Sequence, residues 1–106
     1  MKDISKVINQ FVSHYLSYRD DITLYVNSKR MPKDKDNPEG HLVYRVVIHI
    51  KLKPTDGLYA KINKGIDRVN LMRALNENFN LYWDNCMIEY HLIDPWQSLL
   101  DQKSFM

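Results

Sequence analysis

The chain has 106 residues, 44% of them hydrophobic and 26% charged, the make-up of one soluble globular domain with a single core. Its 15 Lys and Arg against 13 Asp and Glu leave a net charge of +2, without the basic excess of a protein built to hold nucleic acid along its whole surface. One cysteine excludes an internal disulfide and a Cys-based zinc cage, and the 3 glycines, at positions 40, 57 and 65, are too scattered for a phosphate-cradling loop.

In chain order, Asp3 is placed to cap a helix running to about Tyr18. Ile4, Val7, Ile8, Phe11, Val12, Tyr15 and Leu16 recur at three- and four-residue steps and form one apolar stripe, with Lys6, Asn9, Gln10, Ser13 and Ser17 opposite. His14 is expected to face solvent. After a turn at Arg19-Asp20-Asp21, Ile22, Leu24 and Val26 alternate with Thr23, Tyr25 and Asn27, the period of a half-buried strand.

Residues 28–40, SKRMPKDKDNPEG, combine charges, two prolines and a closing glycine, and they read as an extended loop or arm at the tip of a β-hairpin. The long strand follows, HLVYRVVIHIKLK from His41 to Lys53. Leu42, Tyr44, Val46, Ile48, Ile50 and Leu52 make its apolar face. His41, Arg45, His49, Lys51 and Lys53 make the other, with Val43 and Val47 among them. Pro54-Thr55-Asp56-Gly57 supplies turn chemistry, and Leu58 to Asn63 is a candidate short extended piece.

A second helix is predicted from Asp67 to Asn78, with Val69, Met72, Leu75, Asn76 and Phe79 on one side, Leu71 widening the stripe, and Arg68, Arg73 and Glu77 facing out. A turn at Asp84-Asn85 leads into the strand Cys86 to Ile93. Asp94-Pro95 pairs an N-cap with a proline at the first helical position, starting a short amphipathic helix with Trp96, Leu99 and Leu100. The order α-β-β-(β)-α-β-α implies one α+β domain over residues 1–106. Its expected form is a two-layer sandwich in which helices cover one face of a mostly antiparallel sheet of three to four strands.

If the helices cover one face, Tyr25, Arg45, His49, Lys51, Glu89 and His91 share the other. Bases stack on aromatic rings while cations hold phosphates, so Tyr25, Arg45, His49 and Lys51 are the candidate contacts for single-stranded nucleic acid. No aromatic RNA-recognition motif accompanies them, and Glu89 opposes their charge. His49 and His91 have the residue type of an acid–base pair, and with Glu89 the type of a metal-ligand set. Neither reading has a nucleophile or a defined register behind it, so the chain is expected to be non-enzymatic, with no cofactor and no metal. Cys86 is expected to be a buried, inert thiol.

Apolar Val43, Val47 and Met87, with Ile93, lie on the face that water would otherwise cover, and Tyr59, Tyr82, Trp83, Trp96 and Phe105 are more aromatic surface than a small domain easily hides. These features favour a protein–protein contact. The expected partner-binding residues are Lys29, Arg30, Met31, Lys33 and Lys35 of the arm, together with Val43, Val47, Met87, Trp96 and Phe105.

The order of helix, long hairpin, helix and final strand resembles the small ring-forming neck or tail-completion proteins of tailed phages. The resemblance is one of element order and implies an oligomeric assembly subunit. The alternatives are a single-stranded nucleic-acid module using the basic sheet face, and a small inhibitor or adaptor that masks another protein with the arm Lys29–Glu39. No apolar run reaches the ~20 residues that span a bilayer, and the N-terminus lacks an apolar signal core. The expected location is intracellular (cytoplasmic), or within a virion assembled in the cytoplasm.

Overall fold

The computed structural model describes residues 2–32, 35, 40–53 and 65–93. Over these the chain is α+β, with helices α1 (Ser5–Tyr15) and α2 (Arg68–Phe79) and strands β1 (Ile22–Met31), β2 (His41–Lys51) and β3 (Cys86–Ile93). The strands form one sheet in the order β1-β2-β3.

The sheet is mixed, where a mostly antiparallel one was expected. β1 and β2 run antiparallel, with Ile22 opposite Ile50 and Met31 opposite His41. β2 and β3 run parallel, with Tyr44 opposite Cys86 and Lys51 opposite Ile93. The reason lies between them: the chain leaves β2 and passes through α2 before β3, and a helical crossover returns it to the end from which β2 started. The candidate fourth strand, Leu58 to Asn63, and the C-terminal helix from Asp94 lie outside the described residues.

β2 is the centre of the molecule because its alternation is the most regular. Leu42, Tyr44, Val46, Ile48 and Ile50 are all buried in one core with Ile8, Val12 and Leu16 of the first helical segment, and Leu52, just past the strand, is buried as well. Leu71, Met72 and Leu75 of α2 and Cys86 and Ile88 of β3 complete it. The helices meet at Phe11 and Phe79, whose rings pack edge to face at 5.2 Å. The Ile4 N–H donates to the Tyr44 hydroxyl at 3.1 Å, tying the start of α1 to β2.

Several boundaries differ from the sequence reading. The N-cap of α1 is Ile4, one residue after Asp3, although the Asp3 carboxylate still accepts from the Ser5 N–H at 2.8 Å. The helix ends at Tyr15 in a turn. Asp67 is the N-cap of α2 and accepts from the Asn70 N–H at 3.1 Å, while Asn80 closes the helix in the left-handed region. Val69 is 64% exposed and Asn76 is exposed, so the core stripe of α2 is narrower than expected.

The largest correction concerns the arm. The composition of residues 28–40 predicts loop from Ser28 onward, yet Ser28–Met31 continue β1 and pair with Tyr44 to His41. A charged tetrapeptide with no apolar alternation becomes strand because β2 supplies a partner backbone for its whole length. Gly40 precedes β2 at φ +75°, and a Cβ there would lie 2.7 Å from the Met31 carbonyl oxygen. Only glycine fits both constraints.

Candidate interaction face

The face of the sheet away from the core is built in rungs. Thr23, His49 and His91 share one; Tyr25, Val47 and Glu89 the next; Asn27, Arg45 and Met87 the third. Lys29 with Val43, and Met31 with His41, continue it along β1 and β2.

One ion pair crosses this face. Arg45 donates to Glu89 Oε2 through Nε at 2.9 Å and Nη2 at 2.6 Å, and His91 Nε2 stands 3.6 Å from the same oxygen. The Arg45 bond holds the Glu89 carboxyl below the usual carboxylate range and raises the Arg45 guanidinium in return. A row of rings runs beside this pair: Tyr25 and His49 at 5.6 Å between centroids, His49 and His91 at 5.7 Å, both edge to face.

Val47 is buried, 7% exposed, although it lies outside the main core and on the face expected to be open. Its expected exposure is therefore corrected: its cross-strand neighbours are Tyr25 and Glu89, with the Arg45 side chain reaching diagonally to Glu89. Further along lies a hollow of about 550 Å³. Met31, Val43 and Met87 give it apolar walls, and Asn27, Lys29, His41, Arg45 and Asp84 supply polar groups.

Of the residues expected to meet a partner, Lys29, Met31, Val43 and Met87 come together in this hollow. Met87 is 47% exposed, and Val43 and Met31 are half-buried. Arg30 falls on the other parity, opposite Leu42, and Lys35 is exposed. Lys33, Trp96 and Phe105 lie outside the described residues. His41 and Asp84 are not among the expected partner-binding residues, because only the cross-strand register and the turn before β3 bring them into the hollow with Met87.

Of the nucleic-acid candidates, Tyr25 is 52% exposed and Lys51 is exposed, while His49 is half-buried between two rings. Arg45 already holds a carboxylate. His49 and His91 are direct cross-strand partners. Among the described residues no group of three or more His, Cys, Asp or Glu side chains is placed to hold a metal ion. Cys86 is buried, and burial pushes its thiol up to about 11.

No family model, curated protein or solved structure matches the chain. The geometry of the face is therefore the ground for a functional reading. Among the described residues no helix is long and apolar enough to cross a membrane.

Proposed function

We propose that the chain is a non-enzymatic assembly subunit, a protein–protein interaction module that self-associates through the outer face or the edge of its sheet. The observation that carries this is the apolar hollow walled by Met31, Val43 and Met87, beside an arginine whose charge Glu89 already balances. Apolar contact area beside an arginine already paired within the chain suits a protein surface better than a phosphate backbone, whose affinity comes from unpaired cations. In this reading the helices form the inner layer of a two-layer sandwich, and β1 and β2 make a long hairpin whose arm reaches a neighbouring subunit. An oligomeric neck or tail-completion role in a phage-type particle is the specific form, with assembly in the cytoplasm.

The test is sedimentation velocity of the full chain from micromolar to millimolar concentration. A defined oligomer supports the reading, and Met87→Lys, which puts a charge into the hollow, should weaken it without lowering helix content. A single monomer peak throughout removes it.

The ring row Tyr25–His49–His91, exposed at Tyr25 and His91, favours with Lys51 a second reading, a single-stranded nucleic-acid module. Such binding falls steeply with salt through counterion release. The absence of any salt-sensitive retention of oligonucleotides removes it.

A further inference from the structure

β3 is an edge of the sheet among the described residues, and its backbone shows which groups face outward. The Tyr44 N–H donates to the Asn85 carbonyl and the Leu52 N–H to the Ile93 carbonyl. In a parallel pair each β2 residue bonds to the residues flanking its partner, so the odd-numbered residues of β3 are spent on β2. Ile88, Tyr90 and Leu92 therefore direct their N–H and C=O groups away from the sheet, a template for another strand.

We infer that this edge pairs antiparallel with β3 of a second copy of the chain, with Tyr90 opposite Tyr90 on the two-fold axis. The inference rests on the assembly reading above and narrows it to one edge and one register. Two-fold symmetry and the outward groups allow registers in which a residue of β3 faces itself, and charge chooses among them. With Glu89 on the axis, two carboxylates face each other, and with His91 on the axis, two imidazoles do. With Tyr90 on the axis, Glu89 faces His91 of the second copy, twice.

The same register sets Ile88 against Leu92 and Met87 against Ile93, so the pairs outside Glu89–His91 are apolar. It covers Leu92 and Met87, which are 37% and 47% exposed in the single chain. Backbone pairing and apolar contact supply the affinity, and the Glu89–His91 pairs supply register. The opposite edge is less suited. On β1 the Ser28 hydroxyl donates to Asp3, and Lys29 and Arg30 sit side by side, the kind of charge that guards an edge. The product joins the six described strands of two copies into one continuous sheet whose outer face carries both hollows.

Three variants test this on the full chain. His91→Glu faces Glu89 with a second carboxylate, and Glu89→Lys faces His91 with a cation. Each should weaken self-association by about tenfold or more, and an equimolar mixture of the two should recover a heterodimer by native mass spectrometry, since every cross-strand pair is then complementary. Leu92→Pro removes an outward N–H without touching the ladder to β2 and should give a folded monomer. If the wild type associates but His91→Glu and Leu92→Pro do so equally well, or if the mixture of the charge variants fails to recover, the edge and its register are overturned while the assembly reading stands. A wild-type monomer at every concentration overturns both. Circular dichroism of each variant identifies any that has not folded, and Leu92→Pro with His91→Glu decides the question if Glu89→Lys is among them.

Discussion

Arg45 and Glu89 are joined diagonally across the parallel β2–β3 pair, since Arg45 lies opposite Met87 and Glu89 opposite Val47. One carboxylate oxygen receives both guanidinium bonds, and His91 approaches the same oxygen. Its consequence is a face whose arginine is matched within the chain and whose Val47 is shielded from water.

Titration of this pair has a definite sign. The Glu89 carboxyl is lowered in the folded chain by its bonds to Arg45, so its contribution is present above the unfolded carboxyl pKa and is lost as pH falls through the folded value. Melting curves of the wild type and Arg45→Met should differ at neutral pH and converge in acid. Carboxyl NMR should show Glu89 moving back towards the ordinary range in the variant. An unchanged Glu89 titration would contradict the pairing.

The Cys86 thiol should be silent in the folded state. Burial pushes it up to about 11, so at mildly alkaline pH it is both inaccessible and protonated. Because its folded value is raised, the stability linked to the neutral thiol is present below the unfolded thiol pKa and disappears as pH rises through about 11. Alkylation with a small maleimide at pH near 8 should proceed only in denaturant; rapid native labelling would show an open site.

Gly40 should resist substitution even by residues that favour turns. Gly40→Ala places a side chain in the left-handed region, at roughly 1–2 kcal/mol, before the clash with the Met31 carbonyl is counted. Gly40→Asn relieves the first cost and not the second, so both should lower the urea midpoint. A neutral Gly40→Asn would show that the backbone at Met31 yields freely.

Truncation in the shared core should be costly where helix and strand residues pack together. Leu75 is fully buried in α2 within the cluster that holds Ile48 and Val46 of β2. Leu75→Ala is expected to lose about 2–5 kcal/mol by denaturant unfolding, whereas Val69→Ala, on the exposed side of the same helix, should change stability by about 0.5 kcal/mol or less.

The strands and helices were largely legible because their periods are unmistakable. The β2 alternation from Leu42 to Ile50 names the core face outright, and Asp67 stands three residues before the N–H it caps. What escaped was set by partners distant in sequence. Ser28–Met31 have no strand pattern of their own and are strand because Tyr44 to His41 lie beside them. The parallel sense of β3 follows from the path of the crossover, which side-chain alternation does not encode. Val47 is closed off by Tyr25 and Glu89 from two other strands, so period alone placed it on an open face. The hollow joins Met31, Val43 and Met87 only once both registers are fixed.

The most direct measurement is the solution mass of the full chain by light scattering on a size-exclusion column, at low and at high salt. The account predicts a defined oligomer, a dimer or a multiple of one, whose mass barely changes with salt because backbone pairing and apolar contact hold it. A monomer at both salts, across the full range of loading concentration, would contradict it.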